Sequence, residues 1–326
     1  MVEKETIHYS VIIPAYNAEK TLSDTLIALQ NQSVPRDSYE IIVVDDGSKD
    51  DTAAVARRCG ATCVSQPNRG PAAARNHGVR VARGEIILFT DADCVPDRDW
   101  IRQMTLPFQN ERTAGVKGAY RTRQEELAAR FAQAEFEDRY DLLKKADAID
   151  MVDTYSAAFR RDIFIKIGLF DESFPVANNE DTELSYRLCA AGHLLKFNPE
   201  ALVYHLHPNS FVKYFRIKYR RGYWRMIVYR NYPEKAFKDT YTPVVIKLQT
   251  MAAALSFPVV LSALVFTKFL TVATLLYLGI MASSAVFSIK TFKKDPVVGL
   301  ISPVVVLGRA IAFALGSLFS VFYRRK

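Results

Sequence analysis

Over its first two thirds the chain alternates short apolar runs with polar, helix-spaced segments, and each apolar run ends in turn residues. Tyr9–Pro14, Glu40–Val44, Ala61–Ser65 and Glu85–Phe89 have the length and composition of strands. Between them lie a helix from Asn17 or Ala18 carrying Leu22, Leu26 and Leu29, a helix Asp51–Cys59 with Ser48 as its cap, and a helix to Arg83 with Pro71 in its first turn. Further on come Asp97–Asn110, a strand Val116–Tyr120, a charged helix Glu125–Lys145 and a strand Tyr155–Phe159. A helix Asp181–Ala191 stopped by Gly192 and a strand Leu194–Tyr204 follow. Such alternation predicts an α/β, doubly wound, mostly parallel sheet, whose right-handed crossovers bring the strands' carboxyl ends to one ligand-binding edge.

The last third reads differently. Thr250–Thr267, Phe269–Ile289 and Val297–Phe322 are long apolar stretches, the second free of charge for 21 residues and the third interrupted by Arg309. About 20 apolar residues match a bilayer core, so two or three membrane segments are expected. Arg309 is costly in lipid, which leaves the third segment to pack that side chain on protein or to bend back as a re-entrant or interfacial element. The organisation predicted is a catalytic domain over 1–207, interfacial helices over 208–245 and a membrane region over 246–326.

Net charge sharpens this division. Residues 1–204 carry 25 Lys and Arg against 32 Asp and Glu, whereas the remainder carries 18 against 3, for an overall +8. The excess cations lie beside apolar segments and, from Phe211 to Arg230, alternate with aromatics, as in a helix at the lipid headgroups. Anionic membrane lipid, not nucleic acid, is the expected partner. The charged opening Met1–Thr6 has no signal-peptide pattern, which predicts a multi-pass membrane protein with its catalytic domain in the cytosol. Lys290, Lys293 and Lys294 and the terminal Arg324–Lys326 are both cytosolic by the positive-inside rule, which a single crossing between them forbids. The cysteines Cys59, Cys63, Cys94 and Cys189 lack metal-ligand spacing and read as small buried hydrophobes.

Candidate chemistry gathers at the predicted sheet edge. The tetrad Thr90-Asp91-Ala92-Asp93 ends the run Ile86–Phe89, and two carboxylates one residue apart suit a divalent cation carrying a diphosphate. Upstream are Ile12-Ile13-Pro14-Ala15-Tyr16-Asn17, Val43-Val44-Asp45-Asp46-Gly47-Ser48 and Asn68-Arg69-Gly70-Pro71-Ala72-Ala73-Ala74-Arg75-Asn76. Downstream, Asn178-Asn179-Glu180-Asp181-Thr182-Glu183-Leu184 opens a helix. This ordered set, spanning about residues 7 to 207, resembles the family 2 glycosyltransferases, inverting enzymes with a GT-A nucleotide-sugar fold.

The resemblance implies that Pro14, Tyr16, Asn17, Asp45, Asp46, Arg75 and Asp91 border the nucleotide sugar. It also implies Asp93 as direct ligand to Mg²⁺ or Mn²⁺, with Asp91 and His205 as further metal candidates. Asp181 aligns with the family's catalytic base and Glu180 is the fallback; His205 and His207 both follow the last strand, where related enzymes place residues near the metal or diphosphate. The Gln-x-x-Arg-Trp motif of processive members has only the imperfect counterpart Tyr219–Trp224, which argues against polymer synthesis. The favoured expectation is a transferase moving one sugar from a nucleotide-diphosphate donor to a hydroxyl of a lipid-linked acceptor. A polyprenyl-phosphate sugar synthase, a silent nucleotide-sugar-binding scaffold and, more remotely, a nucleotidyltransferase are the rivals.

Overall fold

The computed structural model describes residues 7–174, 179–236 and 238–322. Residues 1–6, Asn178 and the terminal cations Arg324–Lys326, on which readings above depend, lie outside them. The chain divides into two compact units, one of residues 1–123 and 142–206, the other of residues 124–141 and 207–326.

In chain order the elements of the first unit begin with β1 (Tyr9–Ala15), α1 (Leu22–Gln30), β2 (Tyr39–Asp45), α2 (Thr52–Arg58), β3 (Thr62–Ser65), α3 (Pro71–Val81) and β4 (Ile86–Phe89). They continue with β5 (Val95–Pro96), α4 (Trp100–Thr105) and β6 (Thr113–Arg121). After α5 (Leu127–Leu143), most of which belongs to the second unit, come β7 (Ala157–Arg160), α6 (Arg161–Lys166), α7 (Glu180–Ala190) and β8 (Leu194–Tyr204). The eight strands form one mixed sheet in the order β3-β2-β1-β4-β7-β6-β8-β5. Strands β1 to β4 pair in parallel; β7 is antiparallel to both β4 and β6, and β8 is parallel to β6. Two reversals restore direction, so β6 and β8 run with β4. The carboxyl ends of β1, β2, β4, β6 and β8 therefore share one edge.

Burial explains why these runs are strands. All seven residues of β2 and all four of β4 are buried, as a sheet covered on both faces requires. Helix α1 starts later than the leucine spacing suggests, because Asn17 is left-handed at φ 51° and its side chain accepts the Lys49 N–H at 2.8 Å. The expected Ser48 cap on α2 is absent: its hydroxyl accepts the Asn17 N–H at 2.9 Å and so ties the loops after β1 and β2 together. Gly47, at φ 74°, makes that turn where a Cβ would lie 2.8 Å from the Asn68 nitrogen.

The second unit contains the amino-terminal part of α5 with α8 (Phe211–Asn231), α9 (Val244–Ala263), α10 (Lys268–Ala282), α11 (Ala285–Phe292) and α12 (Pro296–Phe319). Its core joins Phe131 and Ala132 of α5 to Tyr214, Ala253, Ile280, Val298 and Val306. Residues 244–263 and 296–322 are long and apolar enough to cross a membrane, and α10 with α11 qualifies only as a pair bent by 41°. The stretch that looked cleanest in sequence is thus broken, at Ser283 and Ser284, whose hydroxyls bond the Ile280 and Met281 carbonyls at 2.7 and 2.6 Å and compete with the helical ladder.

Arg309 is 5% exposed and meets protein. It donates to Glu135 of α5 and, at 2.6 Å, to Gln249 of α9. Glu135 also accepts from Lys218 at 2.6 Å and from the Tyr214 hydroxyl at 2.8 Å. Although burial alone favours the neutral acid, Lys218, Arg309 and Arg139 together hold the Glu135 carboxyl well below the usual range. Glu135→Gln removes the anion that pairs with Lys218 and Arg309, and a loss of about 3 to 5 kcal/mol is expected for a broken buried pair. Denaturant unfolding of the detergent-solubilised protein checks this; an unchanged midpoint would contradict it.

Candidate active site

The shared sheet edge gathers four of the sequence motifs. After β4, Asp91 and Asp93 follow the buried Thr90, whose hydroxyl bonds the Tyr155 carbonyl at 3.1 Å. After β8, His205 lies against Tyr120 and Tyr155, with ring centroids 5.8 and 5.2 Å away, and the two tyrosine hydroxyls are 3.0 Å apart. One ligand atom from each of Asp93, Cys94 and His205 falls within 4.8 Å of the others. A carboxylate and an imidazole with Asp91 nearby form an oxygen and nitrogen donor set that fits Mn²⁺ or Mg²⁺, the imidazole favouring the former. Burial, with Asp91 adding to it, raises the Asp93 pKa above the carboxylate norm, while His205 opposes the rise.

Sequence reasoning read Cys94 only as a small buried hydrophobe. It is fully buried, and burial pushes its thiol well above its ordinary pKa. Its place in the donor cluster follows from adjacency to Asp93, which was the available signal. His205 and His207 also part company. His207 stacks on Phe136 at 5.5 Å and faces Gln133 at 3.0 Å in the second unit, whereas His205 belongs to the first.

Just after β1, Tyr16 is 48% exposed, with Pro14 inside the strand and Asn17 on the surface turn. Asp45 accepts the Ser48 N–H at 3.0 Å. Asp46 accepts the Arg69 and Gly70 N–H groups at 2.9 and 2.8 Å and the Gln66 amide at 2.8 Å. It thereby fixes the loop entering α3.

Helix α3 carries Arg75 into the interior. Its guanidinium donates to Asp91 and to Glu180, each at 2.9 Å, linking the acid after β4 to the first turn of α7. Arg75 is 2% and Glu180 3% exposed, so each balances the other's desolvation. Asn76 clasps the backbone of Phe170 through both halves of its amide, at 2.9 Å each, and so steadies the approach to α7.

Asp181, next to Glu180, is only partly covered. One carboxylate oxygen accepts the Thr182 N–H at 2.7 Å. Burial first, then the charges of Glu180 and Asp153, push its pKa up to about 7, against the pull of Arg75. Asp153 is itself ion-paired with Lys117, both 1% exposed. A carboxylate poised near neutrality at a ligand-binding edge has the ionisation of a general base.

Residues 10–168 match the Glycosyl transferase family 2 domain. The chain carries a family 2 glycosyltransferase domain over those residues. Among its relatives is the probable glycosyltransferase YdaM of Bacillus subtilis, 28% identical over 309 residues, which cover 89% of this chain and 68% of YdaM. Glycosyltransferase AglE of Haloferax volcanii is 36% identical over 100 residues, 29% of this chain and 33% of AglE. The mannosyltransferase PcManGT of Pyrobaculum calidifontis, solved with GDP-Man and Mn²⁺, superposes with a TM-score of 0.64 over 97% of this chain and 89% of its own at 21% identity. The mixed sheet of this glycosyltransferase has the GT-A arrangement.

Proposed function

We propose that this glycosyltransferase moves one sugar, with inversion, from a nucleotide-diphosphate donor to a hydroxyl of a lipid-linked saccharide at the cytosolic face of a membrane. Asp181 carries the reading: it is partly accessible, titrates near neutrality and is tied through Glu180 and Arg75 to Asp91. A hydroxyl acceptor must lose a proton as it attacks, and a positioned carboxylate of this pKa takes it at neutral pH. An ionised phosphate acceptor needs no such base.

In this reading the loops bearing Pro14, Tyr16, Asn17, Asp45 and Asp46 border the nucleotide, and Asp93, His205 and Asp91 would hold a divalent ion. Mn²⁺, present with GDP-Man in PcManGT, or Mg²⁺ would neutralise charge on the diphosphate. The acceptor oxygen forms its bond to the anomeric carbon while the carbon–oxygen bond to the diphosphate breaks. The hydroxyl proton passes to Asp181, and the nucleoside diphosphate leaves with the bonding pair. Glu180, buried against Arg75, orients the turn that carries Asp181. The exposed cations Lys213, Arg216 and Arg220 of α8 suit anionic headgroups.

Acceptor class separates this reading from a polyprenyl-phosphate sugar synthase. Supplying polyprenyl phosphate alone, and in parallel a lipid-linked saccharide, should give transfer only with the saccharide. Product formed on polyprenyl phosphate alone would replace the hydroxyl reading by the synthase one.

A further inference from the structure

Residues 296–322 are long and apolar enough to cross a membrane. Their neighbours within the second unit argue otherwise. At the start of α12, Asp295 is held by Arg130 of α5, at 2.8 and 2.6 Å. Just before it, Lys290 reaches Asp138 and Asp141, and Lys294 reaches Glu137, at 2.6 to 2.7 Å. Midway along, Arg309 pairs with Glu135 of the same α5. Residues 295 and 309 are about 21 Å apart along α12, yet their partners on α5 are separated by about 8 Å of helix.

The second half of α12 runs with α8. Gly308 lies against the Phe215 ring, Gly316 would place a Cβ 2.0 Å from the Tyr219 carbonyl oxygen, and Gly222 would place one 2.4 Å from that of Phe313. Arg230 donates to the Ser320 carbonyl at 2.8 Å. The outermost contacts, 215 with 308 and 230 with 320, run in the same direction along both helices over about 18 Å of α12, and 219 with 316 and 222 with 313 cross between them. Three glycines let the backbones approach this closely. Helix α8 carries seven Lys or Arg between Lys213 and Arg230, with Lys213, Arg216, Arg220 and Arg230 exposed, and cannot lie within hydrocarbon.

From these pairings we infer that α12 does not cross the bilayer: both its ends lie on the aqueous side occupied by α5 and α8, and it rests in the membrane face. Its outward residues Val297, Leu300, Val304, Leu318 and Phe319, between 45 and 75% exposed, enter the acyl boundary while the α8 cations meet the headgroups. Arg309, paired on protein, never faces lipid. The opposite placements that a single crossing would force on the two basic clusters of the sequence then no longer arise. This topology is independent of the acceptor assigned above.

Trypsin digestion of sealed membrane vesicles of each orientation, with mass spectrometry of the released peptides, tests it on the unaltered chain. Cleavage at Lys293 or Lys294 and at Arg324 or Arg325 is expected in the same vesicle orientation and in neither case in the opposite one. Cleavage of the two clusters from opposite sides would overturn the inference. An epitope inserted after Lys293 and another at the carboxyl terminus, probed with an impermeant protease in intact cells, give a second reading: both accessible together or both protected together is the expected result, and one of each would refute it.

Discussion

Asp181→Asn is expected to lower sugar transfer by about 10² to 10⁴, the usual contribution of a positioned general base, while nucleotide-sugar binding persists. Asparagine keeps the shape and can still accept the Thr182 N–H, so the loss isolates proton abstraction from folding. The wild-type rate should carry the same signature in pH. Because the Asp181 pKa is raised to about 7, the base is protonated below that value, and transfer should fall close to tenfold per unit as pH drops through 7. The linked effect on stability has the opposite sense. The folded state holds this proton between the ordinary value near 3.8 and about 7, so stability contributed by the protonated form is complete below that window and lost as pH rises through it. A rate profile flat between pH 5.5 and 8, or a normal rate in Asp181→Asn, would contradict the assignment.

Asp93→Asn is the second large effect. It removes the anionic member of the Asp93 and His205 pair, and with it the main anchor of the ion proposed to bind there beside Asp91. Loss of a contribution of several kcal/mol to the transition state corresponds to about 10² to 10⁴ in rate. Mn²⁺ binding followed by electron paramagnetic resonance should weaken in parallel, which distinguishes loss of the ion from a local packing defect. Cys94→Ser, in contrast, exchanges one buried small side chain for another and should change Mn²⁺ affinity far less. Equal losses in the two variants would mean that Cys94 is a full ligand.

Much of this arrangement is legible in the chain because it rests on local rules. Strands β1, β2 and β4 are apolar runs ending in polar turns, α3 declares itself through Pro71, and the carboxylates of Asp91, Asp93 and Asp181 sit where strand ends and a helix start put them. What sequence leaves hidden depends on partners far along the chain. Arg75 reads as a cation for phosphate, but its two terminal nitrogens are occupied by Asp91 and Glu180, 16 and 105 residues away. The antiparallel insertion of β7 between β4 and β6 has no local mark, since register and direction are decided by pairing. Arg309 looks anomalous in an apolar run until Glu135, 174 residues earlier, is brought to it. Two-residue strand β5 and six-residue helix α6 are too short to leave a periodic signal.

The central claim is that a nucleotide sugar is cleaved by transfer in a step that needs both a membrane acceptor and the Asp181 carboxylate. Nucleoside-diphosphate release from UDP-, GDP- and dTDP-sugars by the detergent-purified protein, with Mn²⁺ or Mg²⁺, with and without membrane lipid extract, measures it directly. Release from one donor class that requires the lipid extract and collapses in Asp181→Asn is the predicted result. Metal-dependent donor binding without release from any donor under any lipid condition would contradict it and favour a silent binding scaffold.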